Sequence, residues 1–459
     1  MEHPMSLSII ILAAGKGTRM KSAKPKVMHT LANKPLLQHV IDTAKQLNPS
    51  QLAVVCGSGA DDVVPYLQQQ GIDTAMQLEQ KGTGHAVEQA KAFYQESDQV
   101  LVLYGDVPLI EKDTLEALIH EGDANTLKVL TTVLDDPTGY GRIVRDVTGR
   151  MLMITEEKDA NEETREINEV NTGIMCIPAK WLNSALSQLD NNNAQGEYYL
   201  TDLIAKAVEE GIEIDSITCE DEQEVAGVNN RVQLAELESY YQQKKATELM
   251  MAGVTMRDPA RVDIRGELTV GQDITVDVNV IFEGNNTLAN DVTIGANCII
   301  INSIIHEGAE ILPNSIIENA EVGANCSVGP YARLRPGSRL AAKAKVGNFV
   351  EIKNANIGLG SKINHLSYIG DTDMGADVNI GAGTITCNYD GANKHRTVIG
   401  DRVFVGSDTQ LVAPVTVEDG ATIGAGSTIR KDAPAGELTL TVSKQKTISG
   451  WQRPVKNKK

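Results

Sequence analysis

The sequence predicts two domains of different class: an α/β domain on a largely parallel sheet, then a parallel β-helix of six-residue repeats. Three observations carry that reading. Strand-like and helix-like segments alternate over residues 1 to about 230. A stretch without Gly or Pro follows, and then aliphatic residues recur at every sixth position. The recurrence runs through Val270, Val276, Phe282, Leu288, Ile294 and Ile300, resumes at Val322, Val328, Leu334, Leu340, Val346 and Ile352, and returns at Ile399, Val405, Leu411, Val417, Ile423 and Ile429. At 3.6 residues per turn an α-helix would scatter such positions around its surface. A parallel β-helix points one aliphatic residue inward from each short strand and then turns a corner.

From the N-terminus, Ser8–Ala13 is an apolar run ending in a glycine loop, and Pro35–Leu47 has helical spacing. Leu52–Cys56, Val100–Tyr104 and Val129–Leu134 read as buried strands. Such alternation implies a mainly parallel sheet with helices on both faces, and ligands at the carboxyl ends of its strands. Arg231 to about Met251 carries apolar Leu234, Leu237, Tyr241 and Leu249. It reads as an amphipathic helix of about 30 Å, either a rigid arm between the domains or a surface helix packed on the first. The expected divisions are 1–230, 231–252 and 253–459. The final GWQRPVKNKK leaves the rhythm and is basic, and a disordered tail is the default for such an end.

Composition narrows the function classes. Asp and Glu number 61 against 42 Lys and Arg, for a formal charge of −19. That balance disfavours a nucleic-acid or anionic-membrane binder. No run of 18 apolar residues exists, so no transmembrane helix is expected. The N-terminal apolar run lacks a basic flank and enters a glycine loop directly, which reads as a strand and not a signal peptide. The six cysteines are scattered without a CxxC pair, as expected for reduced thiols in a cytoplasmic protein.

Two N-terminal segments carry candidate chemistry. In Leu12-Ala13-Ala14-Gly15-Lys16-Gly17-Thr18-Arg19-Met20, two glycines let the backbone fold tightly and bring N–H groups near an anion. A GxG alone serves many turns; Lys16, Arg19 and Lys26 beside it leave a phosphate site and a plain turn as the alternatives. The P-loop pattern GxxxxGK[ST] is absent. Tyr104-Gly105-Asp106 ends a strand, where a carboxylate can hold Mg²⁺ or cap a turn. Gln77 and Gly82-Thr83-Gly84-His85 form a second polar turn, suited to binding a base or to a change of direction.

The motifs LAAGKGTRM, Pro25-Lys26, GTGHA (82–86), YGDVPL (104–109), DDPTGYGRI (135–143), VNTGI (170–174), NNNAQGEYYLTD (191–202) and GVNNR (227–231) resemble sugar-phosphate nucleotidyltransferases, the uridylyl-transferring branch above all. With the repeats included, the whole chain resembles the bacterial bifunctional N-acetylglucosamine-1-phosphate uridylyltransferase/glucosamine-1-phosphate N-acetyltransferase family. That resemblance implies a Rossmann-like nucleotidyltransferase domain, a left-handed β-helix and a homotrimer with its acetyl sites at subunit seams. It implies UTP, acetyl-CoA, glucosamine 1-phosphate, N-acetylglucosamine 1-phosphate and Mg²⁺ as ligands. Leu12, Ala13, Ala14 and Gly15 would form the nucleotide loop, and Gln77, Gly82 and Thr83 would read the uracil. Lys26 and Arg19 would meet the phosphates. Tyr104, Gly105, Gly141, Glu156, Asn171 and Thr172 would line the nucleotide-sugar pocket, and Asp106 and Asn229 would hold Mg²⁺. One departure is the segment Val147–Thr155, which carries no sharp motif before Glu156.

In the repeats, Ile352 to Ile357 and Ile369 to Met374 are spaced by five residues, and the stretch from Gly381 to Val398 leaves the rhythm. His365 lies between the two short spacings. An imidazole titrates at about 6.5 in water, so a His there suits a base for acetyl transfer, whereas an isolated His in a repeat is ordinarily a surface turn residue. The resemblance makes His365 the general base and places Arg335, Lys353, Tyr368 and Asn379 in the sugar-phosphate pocket. It assigns Ala382, Asn388, Tyr389, Ser407 and Ala425 to acetyl-CoA, and the Ala382 N–H to the thioester carbonyl. The Thr384–Val398 insertion and the basic tail would be seam elements. Relatives often carry an Arg in the last strand; Val442 stands there in this chain, with Lys444 nearby as a substitute.

The reading is a two-reaction enzyme feeding UDP-N-acetylglucosamine into bacterial envelope polysaccharides. Its rivals are a uridylyltransferase whose β-helix only trimerises it, and a non-catalytic regulatory subunit on the same plan.

Overall fold

The computed structural model describes residues 6–121 and 123–456, which form two compact units divided between Tyr241 and Gln242. The first is an α/β unit. Its main strands are β1 (Leu7–Ala13), β2 (Gln51–Cys56), β3 (Asp73–Met76), β4 (Gln99–Tyr104), β5 (Leu127–Val133), β6 (Arg142–Arg145), β7 (Met151–Thr155), β8 (Glu169–Pro178) and β9 (Ile214–Cys219). They order as β9-β5-β8-β4-β1-β2-β3, with β6 and β7 branching from β8. β1 is parallel to both β2 and β4, whereas β8 runs antiparallel to β4 and β5. The expected strands are all present with ends displaced by one or two residues, and helix Leu36–Gln46 fills the expected helical segment. The buried runs Ile9–Ile11, Val100–Leu103 and Ala53–Cys56 feed apolar cores on the two sheet faces.

Chain order reverses between β1 and β4, because β1, β2 and β3 step outward one way and β4 returns to the other side of β1. A crevice opens at the carboxyl ends of strands at such a reversal. Here it receives Leu12–Gly15 from β1 and Tyr104–Asp106 from β4, stitched by the Gly105 N–H donating to the Leu12 carbonyl at 3.0 Å.

The second unit is a parallel β-helix. Each coil places one short strand on each of three faces, and every strand pairs in parallel with its counterpart one coil on. The six-residue positions are its core: from Val276 to Ile429 all of those named above are buried, and Val270 packs partly buried at the end. Glycine follows the inward aliphatic residue because the next coil crosses there. A Cβ built on Gly323 would lie 2.5 Å from the Leu340 carbonyl oxygen, and one on Gly406 would lie 2.5 Å from the Ala425 nitrogen.

The five-residue spacings take on a different meaning in the structure. Ile300 to Ile305 and Ile317 to Val322 share the five-residue spacing of Ile352 to Ile357 and Ile369 to Met374. All four are the same corner of the coil, turned by Asn302, Asn319, Asn354 and Asp371 with φ of 44–47°; the coil between the second and third keeps six residues from Leu334 to Leu340 and turns at Gly337, φ 81°. Asn and Asp tolerate that left-handed region better than other non-glycine residues. The short corner is therefore a general device of this helix and not a marker of His365. The true interruption is narrower than the expected insertion. Ile385–Cys387 and Thr397–Ile399 remain regular strands, and residues 388–396 loop out between them.

The helix Arg231–Met251 is divided between the two units. Leu234, Leu237 and Tyr241 pack into a cluster with Met20, Leu31 and Leu36 of the first unit. Leu249 belongs to the β-helix core, and Gln242 exchanges hydrogen bonds with the Ile264 backbone at 2.8 and 3.0 Å. None of the six cysteines is paired, and among the described residues no helix is long and apolar enough to cross a membrane. Residues 441–456 carry no regular structure; Asn457–Lys459 of the basic tail lie outside the described residues.

Gly323→Ala should cost about 1–3 kcal/mol, since the added methyl meets backbone that cannot move without parting two coils. Chemical denaturation of the β-helix transition measures it, and an unchanged midpoint would contradict the close approach.

Candidate active sites

In the first unit, Leu12, Ala13, Ala14, Gly15, Lys26, Gln77, Gly82, Thr83, Tyr104 and Asp106 line one cleft of about 460 Å³, joined by Lys16, Gln80 and Glu197. Gly17 lies at φ 56°, where a Cβ would sit 2.7 Å from the Lys26 Cβ, so the loop folds back directly onto Lys26. Gln77 is buried, and its amide nitrogen lies 3.0 Å from both the Gly82 carbonyl oxygen and His85 Nδ1. Both contacts hold the amide in one orientation.

The charged floor is a single node. The Lys26 ammonium contacts the Asp106 carboxylate and donates to Asn229 Oδ1 at 3.1 Å. The Arg19 guanidinium donates to the same Asn229 oxygen at 2.9 Å. Asn229 is delivered by a segment that the Val228 N–H ties to the Asp106 carbonyl at 2.9 Å, and its own N–H donates to Gln233 Oε1 at 2.8 Å. Four residues from three distant stretches of sequence thus meet at one point.

Gly141, Asn171 and Thr172 lie near one another, through the Asn171 N–H donating to the Gly141 carbonyl at 2.9 Å. Gly173, at φ 86°, makes room for the Tyr104 ring, which a Cβ would approach to 2.5 Å. Glu156 accepts from the Thr201 hydroxyl at 3.0 Å, and burial raises its carboxyl above the usual range. It also lines a second cavity, of about 400 Å³, with Asp159, Asp190, Tyr199 and Asp202. Glu197 sits in a motif noted in the sequence but drew no role there; its place in the cleft comes from the pairing of residues 197–200 with the Lys81–Gly84 turn.

In the β-helix, column registry organises the assigned residues. Asn348 pairs with His365, and Ala382, Ser407 and Ala425 follow at the same position in later coils. His365 is exposed, with Nδ1 3.0 Å from Asn348 Oδ1. An amide oxygen only accepts, so Nδ1 carries a proton, and in the neutral ring Nε2 has the free lone pair. The residues beyond His365 in the column are small.

A second column starts at Arg335, whose guanidinium donates to Glu351 at 2.7 Å, and continues through Lys353 to Gly370. Gly370 leaves room for Tyr368, whose hydroxyl would lie 2.4 Å from a Cβ there. Asn379 stands on the His365 face, between Lys362 and Phe404. Asn388 is buried at the base of the loop, its amide on Asp371, so it anchors the loop; Tyr389 beside it is exposed and bridges to Lys394. Lys394 foremost, with Arg335 adding to the effect and Asp371 opposing it, holds the Lys353 ammonium below its usual range, so three cations and a carboxylate share one locality. Sequence reasoning passed over Asn348 and Lys394, because one lies a coil away from His365 and the other is brought in by the loop. Val442 is exposed after the last strand, Leu438–Thr439, and Lys444 is exposed beside it.

Residues 9–204 match the MobA-like NTP transferase domain, 264–357 the GMPPB C-terminal domain, and 396–431 the bacterial transferase hexapeptide (six repeats). The bifunctional protein GlmU of Marinobacter nauticus is 55% identical over 450 residues, covering 98% of this chain and 99% of that protein. The chain belongs to the bifunctional GlmU family. The GlmU protein of Ralstonia nicotianae is 56% identical over 453 residues, covering 99% of this chain and all of its own. The repeat unit is accordingly the left-handed β-helix of hexapeptide transferases, and the chain is a bifunctional transferase with a nucleotidyltransferase domain and an acyltransferase domain.

Burial first, and then Asp190, Glu156 and Asp159, raise Asp202 from 3.8 to about 6. The folded protein holds that proton more tightly than the unfolded chain, so stability is lost as pH rises through this window. Asp202→Asn should flatten the loss, as read by chemical denaturation between about pH 4 and pH 7; equal slopes in both proteins would reject it.

Proposed function

We propose that the chain makes UDP-N-acetylglucosamine in two steps, acetyl transfer in the β-helix and uridylyl transfer in the α/β unit. The observation that carries this is the presence in one chain of two unlike charged centres. One is the Lys26–Asp106–Asn229–Arg19 node on a nucleotide-sized cleft. The other is an exposed His365 oriented by Asn348, on the helix that also gathers Arg335, Lys353 and Lys394.

In the first step His365 Nε2 takes a proton from the amine of glucosamine 1-phosphate as nitrogen attacks the acetyl-CoA thioester carbonyl. The C–N bond forms, the C–S bond breaks, and CoA leaves as its thiol with the proton that His365 took from the amine. Arg335, Lys353 and Lys394 bind the sugar phosphate by charge-assisted hydrogen bonds. Tyr368 and Asn379 orient the sugar. Ala382, Asn388, Tyr389, Ser407 and Ala425 form the CoA side, with Lys444 in place of the usual arginine.

In the second step a phosphate oxygen of N-acetylglucosamine 1-phosphate attacks the α-phosphorus of UTP, and pyrophosphate leaves. No side-chain nucleophile is needed; pose and charge compensation do the work. Gln77, Gly82 and Thr83 hold the uracil. Tyr104, Gly105, Gly141, Glu156, Asn171 and Thr172 hold the sugar nucleotide. Lys26 and Arg19 bind phosphate oxygens. Mg²⁺ fits Asp106 and Asn229, because both oxygens already converge on a single cation, the Lys26 ammonium. Among the described residues no three His, Cys, Asp or Glu side chains are placed to cage a metal. Two protein oxygens suit an ion that completes its shell with water and phosphate. When bound, it would neutralise charge on the transferring phosphates.

A homotrimer in the cytoplasm completes the reading. Tyr331, Phe349 and Leu366 occupy one corner of three successive coils, all exposed and all at positive φ. The first two rings stack with centroids 5.4 Å apart. Large apolar residues at such corners are uncommon and suit a covered seam. The six free thiols suit a reducing compartment.

His365→Ala should abolish acetylation and spare uridylylation, and Asp106→Ala should do the reverse; separate assays of CoA and pyrophosphate release decide it. Loss of both activities from either change, with the oligomer intact, would sink the division of labour. Lys394→Ala should raise the KM for glucosamine 1-phosphate roughly tenfold with a small effect on kcat, in line with the loss of one charge-assisted hydrogen bond. Unchanged acetylation kinetics would remove Lys394 from the phosphate site.

A further inference from the structure

We infer that in the free protein the Lys26 ammonium fills the divalent-cation position, so that a metal ion enters only together with nucleotide phosphate. The inference rests on the reading that Asp106 and Asn229 hold the ion. Both oxygens offered to the metal are already committed. The Asp106 carboxylate contacts Lys26, and Asn229 Oδ1 accepts from Lys26 at 3.1 Å and from Arg19 at 2.9 Å. The Lys26 and Asp106 side chains are each only 15% exposed, so water does little to screen their attraction.

A bare divalent ion must displace the ammonium and leave it without a counter-charge in a largely enclosed cleft. Nucleotide binding removes that obstacle. Phosphate oxygens give Lys26 and Arg19 stronger partners than an amide oxygen, and their departure frees Asp106 and Asn229. Metal and nucleotide therefore bind with positive coupling beyond their chelation in solution, and the coupling is reciprocal. The movement required is small: the ammonium sits on a flexible four-carbon stem and can turn from Asp106 to a phosphate while Lys26 keeps its place at the start of the 3-10 turn Lys26–Met28.

The test is Mn²⁺ binding to the full-length protein, followed by electron paramagnetic resonance without nucleotide. Lys26→Met should bind Mn²⁺ at least tenfold more tightly than the wild type, and adding Asp106→Asn should abolish the gain. Lys26→Arg keeps a cation in place and should titrate like the wild type. Equal nucleotide-free affinity in wild type and Lys26→Met, with acetylation and circular dichroism of the variant unchanged, overturns the inference. So does tenfold tightening in Lys26→Arg. A separate arm adds UTP without sugar phosphate. A protein-bound Mn²⁺–UTP signal that survives Asp106→Asn would show that the ion lies elsewhere, overturning the metal placement itself.

Discussion

Coil-on-coil registry is the constraint on which the second half of this molecule depends. Each strand spends its backbone hydrogen bonds on the coils before and after it, so a residue's column is inherited from one coil to the next. A side chain then finds its neighbours from other coils in its own column and in the columns beside it. His365 finds Asn348 because they are one rung apart, and Arg335 finds Lys353 for the same reason. The cost of registry falls on the corners. Most place a residue in the left-handed region, and Asn, Asp and Gly dominate there. Where Tyr331, Phe349 and Leu366 replace them, the strain calls for a compensating contact, which supports the proposed seam.

The first unit solves a different problem. Its ligand crevice follows from a reversal of strand order, a property of topology that no single segment possesses. Lys26, Asp106 and Asn229 converge because one loop follows β1, another follows β4, and a third is pinned across both by the Val228–Asp106 hydrogen bond. With Arg19 the node holds two cations against one carboxylate, an excess of positive charge that suits an anionic ligand.

The two domain classes were legible from periodicity alone, as were most strands of the first sheet. The long antiparallel strand Glu169–Pro178 was not. It lies within the sheet, and its motif VNTGI breaks the aliphatic run with Asn171, Thr172 and Gly173, which hides the strand. The five-residue spacings were visible but misleading, since their recurrence at Ile300–Ile305 and Ile317–Val322 belongs to ordinary corners. The looped-out segment was legible as a break, though its true extent needed the strand pairings on either side. Lys394 had no local signal, and Glu197 stood in a noted motif without a role, because their neighbours are brought to them by folding.

What the sequence by itself determined is the repeat, the alternation and the order of motifs, all of which depend on residues close together in the chain. Period six admits a β-helix and excludes an amphipathic α-helix whatever the rest of the chain does. What only the tertiary structure decided is which residues are partners: Asn348 for His365, Lys394 for Lys353, and Asn229 with Arg19 for Lys26. Such pairings depend on strand order and coil register, and electrostatic interaction falls off with distance in space and not with separation along the chain.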